Sequence, residues 1–223
     1  MKHLKESSLS IGFGLLFLLS LVGQAFAGWA QFNNDQHADG LGLIGFGRYL
    51  TSASFAADVA ENWQSEYLQF LLFILATVWL VQKGSPESSE LDNAGLEPDE
   101  EQKVGEHAEP DSPRWAKVGG WRTTVYSWSL PLMMGAIFLV SWLAQSIAGW
   151  ASFNETRLQR LQDPLTWGSY VLNADFWSRT LQNWQSEFLA VGSMAVLAIY
   201  LRQRGSAESK PVGEPHESTG VTG

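Results

Sequence analysis

A five-residue segment, Asn-Trp-Gln-Ser-Glu, occurs twice in this chain of 223 residues. The first copy is Asn62, Trp63, Gln64, Ser65 and Glu66, and the second is Asn183, Trp184, Gln185, Ser186 and Glu187. If both lie on helices that face each other, the two Glu could hold a shared proton or a cation. The alternative is structural: these amides, hydroxyls and carboxylates hydrogen-bond between helices, or mark the level of lipid headgroups. The sequence leaves both interpretations open.

The neighbouring residues place each copy on a helical stripe with spacings of three, four and seven. The stripe of the first copy is Phe55, Val59, Asn62, Trp63 and Glu66, and that of the second is Phe176, Thr180, Asn183, Trp184 and Glu187. Because both copies retain it, we expect the stripe to face the axis of a helical bundle.

Other chemistry finds little support in the sequence. There is no Cys, none of the four His recurs in the other copy, and no spacing of His and carboxylates indicates a metal site. Ser65 and Ser186 have no base nearby in the sequence, and we find no nucleotide-binding or hydrolase motif. We therefore predict no enzyme activity, no cofactor and no metal, and the net charge of -9 argues against nucleic-acid binding.

Four uncharged runs provide the elements that would position the doubled segment, at residues 9–27, 67–81, 130–148 and 188–201. The first and third have the roughly 20 residues that a helix needs to cross the hydrocarbon of a membrane. The second and fourth are shorter. They reach that length if their helices start upstream, with Ser52 and Asn173 as N-caps.

An internal repeat with a shift of 121 residues organises the chain. It aligns about a third of the compared positions as identities without a gap, including Gln24–Asn33 with Gln145–Asn154. Each copy reads as helix, segment outside the membrane, helix, so the copies run in the same direction. The sequence predicts an all-α membrane protein of four transmembrane helices in two parallel-oriented hairpin repeats with pseudo-twofold symmetry, whose even-numbered helices extend into a small outer cap.

The predicted boundaries follow from this repeat. The first repeat covers 1–83, with spans at about 9–27 and 63–82 and an outer segment at 28–62. The second covers 122–205, with spans at about 130–148 and 184–202 and an outer segment at 149–183. Residues 84–121 form an acidic, disordered connection with a Trp-rich end beside the membrane, and 206–223 form a disordered tail.

The first run also imitates a signal peptide, because Lys2 and Lys5 precede it and Ala25-Phe26-Ala27 resembles a cleavage site. The same Ala-Gly-Trp sequence recurs in mid-chain, where no signal peptide can lie. We therefore expect the first helix to be retained.

Orientation follows from the basic residues. Of the 14 Lys and Arg, only Arg48, Arg157, Arg160 and Arg179 lie on the side of the outer segments. The positive-inside rule then places both termini and the connection in the cytoplasm. The expected partners are the lipid bilayer and another membrane protein or a second copy of this chain.

The doubled Asn-Trp-Gln-Ser-Glu segments, the Ala-Gly-Trp-x-x-Phe-Asn sequences at 27–33 and 148–154, and the related stretches at 82–88 and 203–209 resemble a family of uncharacterised bacterial integral membrane proteins, a domain of unknown function. The resemblance covers nearly the whole chain apart from the acidic connection. It implies a multi-pass protein of the bacterial inner membrane and supplies no activity, substrate or site residue.

Overall fold

The protein was analysed as a computed structural model that describes residues 5–222. Lys2, which was counted for the orientation, and His3 lie outside the described residues. The described part is all-α and contains no strand. Its α-helices are α1 (Ser8–Ala38), α2 (Phe46–Leu50), α3 (Ala53–Trp79), α4 (Arg114–Lys117), α5 (Gly120–Ser127), α6 (Ser129–Gln159), α7 (Trp167–Val171) and α8 (Ala174–Tyr200). The predicted all-α class is therefore confirmed.

Helices of the same length recur in the same order. The helices α1, α2 and α3 have 31, 5 and 27 residues, and α6, α7 and α8 have 31, 5 and 27 residues. Each helix of the second set begins 121 positions after its counterpart, as at Ser8 and Ser129. The long helices continue well past the uncharged runs because helix formation depends on backbone hydrogen bonds that polar residues also make.

The start of α3 lies where the sequence placed it. The helix begins at Ala53, and the Ser52 hydroxyl accepts a hydrogen bond from the Phe55 N–H at 3.2 Å. This bond satisfies one of the N–H groups that have no partner within the first turn of a helix. The short helix α7 is capped in the same way by Thr166, whose hydroxyl accepts from the Ser169 N–H at 3.2 Å.

The chain divides into two compact units. The first consists of Met1–Ala60 and Ala144–Asn173, and the second of Glu61–Leu143 and Ala174–Gly223. The doubled Asn-Trp-Gln-Ser-Glu segments both belong to the second unit.

The Trp-rich end of the connection is helical. The short helices α4 and α5 pack together through Trp115 and Trp121, whose ring centroids are 6.3 Å apart, and the Thr123 hydroxyl donates to the Trp115 carbonyl at 2.7 Å. The Arg122 guanidinium lies over the Trp121 ring at 5.6 Å.

Two helices in the described residues, α1 and α6, are long and apolar enough to cross a membrane. They differ in how much of the apolar stretch is covered: 6% of its residues are buried in α1 and 22% in α6. Leu15, Leu16, Phe17, Leu18 and Leu19 are all exposed. Successive helical residues point about 100° apart, so α1 exposes apolar side chains on every face.

Candidate functional site

In the second unit, the part of α3 from Glu61 onward lies beside α8 and runs in the same direction. Four polar contacts join them in order along both helices. Glu61 pairs with Arg179 and Asn183, Gln64 with Trp184, and Ser65 with Glu187. The doubled segment of one helix therefore contacts the doubled segment of the other.

The Glu61 carboxylate is the most heavily bonded group of this contact. Its Oε2 lies 2.6 Å from an Arg179 guanidinium nitrogen and 2.7 Å from Arg179 Nε, and its Oε1 accepts from the Asn183 amide at 2.6 Å. The Glu61 side chain is 13% exposed and that of Arg179 40%. A two-pronged ion pair of this kind fixes the direction of both side chains as well as contributing binding energy.

The Gln64 side chain is fully buried, at 0% exposure. Its Oε1 accepts a hydrogen bond from the Trp184 indole N–H at 2.8 Å. This bond fixes the orientation of the amide, because an indole N–H can only donate. The amide nitrogen Nε2 then points to a place where no acceptor lies among the described residues. A buried donor without a partner costs about 1–3 kcal/mol, so this nitrogen is a place where a water molecule would bind favourably.

Ser65 of α3 contacts the Glu of the other doubled segment. Its hydroxyl lies 2.9 Å from the Asn62 carbonyl and also hydrogen-bonds with the Glu187 carboxylate. Glu66 is close enough for its charge to act on Glu187. The structure thus brings the two Glu into electrostatic range, with Ser65 as the side chain that contacts one of them.

The remaining residues of the doubled segment have different surroundings in the two copies. Asn62, Trp63 and Glu66 are exposed in α3, while Asn183, Trp184 and Glu187 are half-buried in α8. Gln185 and Ser186 are exposed, whereas Gln64 and Ser65 are buried. The Ser186 hydroxyl donates to the Asn183 carbonyl at 2.8 Å within its own helix.

The buried face of α3 therefore differs from the stripe that the sequence predicted. The most buried positions there are Ala57, Ala60, Gln64, Ser65 and Leu68, and not Asn62, Trp63 and Glu66. In α8, Phe176 and Thr180 of the predicted stripe are buried. Gln64 and Ser65 lie on the buried face of α3 because they contact Trp184 and Glu187 of α8, and hydrophobic spacing within α3 does not indicate those partners.

An aromatic cluster joins α6 to α8 and includes Trp184, the residue that also contacts Gln64. Trp142 of α6 stacks on Phe138 at 5.6 Å between ring centroids and lies 6.1 Å from each of Phe176, Trp177 and Trp184. Aromatic pairs at these separations are worth about 0.5–1.5 kcal/mol beyond the area that they bury. Trp184 thus packs against Phe138 and Trp142 in addition to its hydrogen bond with Gln64.

Two matching polar clips lie in the first unit. Trp29 donates its indole N–H to the Ile44 carbonyl at 2.8 Å, and Asn33 both accepts from the Ile44 N–H at 2.9 Å and donates to its carbonyl at 3.0 Å. Trp150 and Asn154 make the same three bonds to Leu165 at 2.7–2.9 Å. Each clip fastens the end of a long helix to the backbone of the loop that follows it.

A tyrosine completes each clip. The Tyr49 and Tyr170 side chains are almost fully buried, and their hydroxyls lie against Gly28 and Gly149, where an added Cβ would come closer than 3.0 Å. Burial raises the pKa of the Tyr49 phenol, and the Asp58 carboxylate adds to this. Tyr49 therefore remains neutral at physiological pH and acts as a packing and hydrogen-bonding group.

Sequence reasoning missed Glu61 and Arg179. The shift of 121 aligns Glu61 with Gln182 and Arg179 with Asp58, so neither charge recurs in the other copy, and a search for repeated residues passes over both. The signal that could have found them is a difference between the two copies, and not a repeated residue. Glu61 lies one residue before its motif and Arg179 four residues before its own, and these unrepeated charges mark a place where the two copies differ.

Within residues 5–222 we find no group of three or more His, Asp or Glu side chains that could hold a metal ion.

No curated protein and no solved structure matches the chain. A family of proteins described as a domain of unknown function does match it over residues 1–221. The match contains both long-helix sets, both clips and both doubled segments. The chain thus belongs to this family, the domain of unknown function DUF6766.

Proposed function

We propose that this protein is a non-enzymatic, four-helix protein of the bacterial inner membrane that binds a partner within the bilayer. In this proposal α1, α3, α6 and α8 cross the membrane as two parallel-oriented hairpin copies with pseudo-twofold symmetry. Both ends of the chain and the acidic connection lie in the cytoplasm, and the clips belong to the outer segments. The partner is lipid, another membrane protein or a second copy.

The observation that carries the membrane assignment is the exposed, apolar surface of α1. An isolated helix that is apolar on every face is stable in hydrocarbon, whereas in water the exposed surface would drive aggregation. Five consecutive exposed residues, Leu15 to Leu19, meet this description. Since only 6% of the apolar stretch of α1 is buried, most of its surface is available to a partner.

The helices α3 and α8 support two further crossings. Each has 27 residues, which is about 40 Å of helix at 1.5 Å per residue and enough to span the hydrocarbon. They run in the same direction, as two hairpins of equal orientation require. Lys83 and Arg204 follow them, consistent with the basic residues expected on the cytoplasmic side.

Cysteine labelling tests this topology, because the chain contains no Cys of its own. Asp39 and Glu101 are exposed and can be replaced by Cys one at a time. A membrane-impermeant maleimide added to intact spheroplasts should label Asp39→Cys and should reach Glu101→Cys only after lysis. Labelling of both positions from the same side would contradict the four-span proposal.

Photo-crosslinking tests the partner. A photoreactive phenylalanine analogue at Phe13 or Leu19, both exposed on α1, should give adducts in native membranes that mass spectrometry identifies as lipid, a second copy or another protein. The same analogue at the buried Phe138 is the control and should react within the chain. Equal adduct patterns at the exposed and buried positions would contradict a partner-binding role for α1.

A second candidate is a small ion- or proton-conducting unit that uses Glu66 and Glu187. The observation that favours it is the proximity of the two carboxylates, with Ser65 bonded to Glu187. Carboxylates inside a membrane protein commonly mark ion or proton pathways. In this candidate function, Glu66 and Glu187 would bind the proton or cation where it enters the membrane.

Flux measurements in proteoliposomes test this candidate. The purified protein should conduct protons or monovalent cations, and the double variant Glu66→Gln/Glu187→Gln should lose at least nine-tenths of that flux. Glu155→Gln, a change at an exposed Glu, is the matched control. No flux from the unmodified protein, or a flux that survives the double change, would reject conduction through the Glu pair.

A further inference from the structure

The tail contains a buried lysine. The Lys210 side chain is 1% exposed, and its Nζ donates to the carbonyls of Gly84, Pro215, His216 and Ser218 at 2.7, 3.2, 2.9 and 3.1 Å. A buried ammonium is costly unless hydrogen bonds replace its water. Here three N–H groups are shared among four backbone carbonyls, so the tail folds back around its own lysine and includes one carbonyl from the turn after α3.

The rest of the tail continues this attachment to the turn after α3. The Gly84 N–H donates to the Thr219 hydroxyl at 2.9 Å, and the Gly220 N–H donates to the Ser85 carbonyl at 3.0 Å. An exposed ion pair between Lys83 and Glu217 adds little because water screens it. The backbone bonds are therefore the main attachment.

The same segment is fastened to the end of α8. Arg202 donates to the Glu214 carbonyl at 3.0 Å, and the His216 ring nitrogen Nδ1 lies 3.0 Å from the carbonyl of Ile199. The His216 ring also packs on Tyr200, at 5.4 Å between ring centroids. A single stretch of tail thus contacts residues at the ends of both α3 and α8.

The tail contacts the turn after α3, whereas it leaves the equivalent glycine in the turn after α8 uncovered. Gly84 and Gly205 occupy equivalent positions, with φ of +85° and +80°, a conformation that glycine adopts without strain. A Cβ at Gly84 would collide with the His216 carbonyl, whereas a Cβ at Gly205 would meet nothing within 4 Å. The two turns therefore differ in what covers them and not in their backbone.

We propose that residues 210–220 form a releasable strap, which binds the turn at residues 83–85 and holds the ends of α3 and α8 together. Lys210 is its anchor, because its ammonium gathers carbonyls from the strap and from the turn at one point. A strap held by one buried side chain and a few backbone bonds opens as a unit when that anchor is lost. Opening would expose Lys210 and free the ends of both helices.

Proteolysis of the full-length protein tests the strap. A Glu-specific protease cuts after Glu217 only when the strap is open, and mass spectrometry measures the rate of that cut. When opening is fast compared with cleavage, the rate follows the open population. Lys210→Met keeps an unbranched apolar chain as far as the ε position and removes the ammonium. It should speed the cut at least tenfold, whereas Lys210→Arg should fall between Met and the unmodified chain.

Glycine substitutions provide a matched pair. Gly84→Ala and Gly205→Ala impose the same positive-φ strain, and only the first places a methyl group against the strap. Gly84→Ala should therefore speed the cut at least fivefold more than Gly205→Ala does. Should Gly84→Ala fail to fold, Thr219→Ala removes the bond from the Gly84 N–H alone and should speed the cut about threefold.

Unchanged cleavage in Lys210→Met, or equal cleavage in the two glycine variants, would overturn the strap. The result is independent of the topology, because α3 and α8 end at the same residues whether or not they cross a membrane. Failure of the labelling experiment at Asp39 and Glu101 is thus distinguishable from failure of the strap.

Discussion

The two Asn-Trp-Gln-Ser-Glu segments have the same five residues and lie in helices of equal length, yet they contribute different side chains to the contact between those helices. The α3 copy buries Gln64 and Ser65, and the α8 copy contributes Asn183, Trp184 and Glu187. In a twofold contact the bond from Trp184 to Gln64 would be matched by burial of Gln185. Gln185 is exposed. Identical segments can therefore form a complementary pair instead of a symmetric one.

The residues around the segments explain this asymmetry. The aromatic cluster depends on Trp142 and Trp177, whose counterparts 121 positions earlier are Leu21 and Ala56. The Glu61–Arg179 ion pair likewise has no charged equivalent at Gln182. The aromatic residues Trp142 and Trp177 and the charge of Arg179 thus give the second copy contacts that the first copy cannot make.

The largest expected effect is the difference between Gln64→Ala and Gln185→Ala. Removal of Gln64 leaves a cavity and takes the acceptor from the Trp184 indole, so unfolding should become easier by about 3 kcal/mol. Gln185→Ala should change the free energy by less than about 0.5 kcal/mol because its side chain is exposed. Denaturant titration in detergent micelles measures both. Equal losses would show that the two copies are equivalent after all.

The clips provide the opposite case, in which the two copies should behave alike. Gly28→Ala and Gly149→Ala each force a methyl group against a tyrosine hydroxyl, and overpacking of this kind costs about 2 kcal/mol. We expect losses in melting temperature that agree within error. Combining Gly28→Ala with Tyr49→Phe removes the clashing oxygen and should restore part of the stability. A loss confined to one copy would mean that the clips are not equivalent.

The ion pair should have a smaller effect. Glu61→Gln keeps the hydrogen bond from Asn183 and removes the charge opposite Arg179. Because Arg179 is 40% exposed and water screens the pair, the loss should be about 1 kcal/mol. A double-mutant cycle with Arg179→Met isolates the interaction, and Glu155→Gln serves as the exposed control. A coupling energy of zero would remove the ion pair from the explanation of the asymmetry.

The smallest expected effect concerns Glu87 and Glu208, equivalent residues that hydrogen-bond to each other. Burial, the hydrogen bond with Glu208 and its charge raise the pKa of Glu87 above its ordinary value of 4.5. A raised pKa means that the folded state favours the protonated acid, so this stabilisation is present at low pH and is lost as the pH rises through the raised value.

Melting temperatures measured from pH 4 to pH 8 test this contact. The decline of the unmodified protein with rising pH should flatten in Glu87→Gln, which remains neutral and keeps an acidic partner. Glu90→Gln, a change at an exposed residue of the same segment, should leave the pH dependence unchanged. A pH profile of Glu87→Gln that superimposes on that of the unmodified protein would contradict the pairing of equivalent residues.

The sequence predicted the elements better than their faces. The all-α class and the start of α3 after Ser52 follow from uncharged runs and capping residues, which are local signals. The buried face of α3 does not follow from local signals, because Gln64 and Ser65 contact Trp184 and Glu187, which are far away in the sequence. Glu61 and Arg179 were not predicted because the search was for residues that both copies share. The strap was not predicted because Lys210 bonds to backbone carbonyls, which every sequence has.

The clips have a consequence for how this protein tolerates change. Trp29 and Asn33 contact the peptide group of residue 44 and not its side chain, so substitutions at that position leave all three bonds in place. The chain already contains such a substitution, because the first clip holds an isoleucine and the second a leucine. Bonds that do not depend on side-chain identity let these two loops change in sequence while their path stays fixed, which makes the loops suitable sites for grafting foreign peptides.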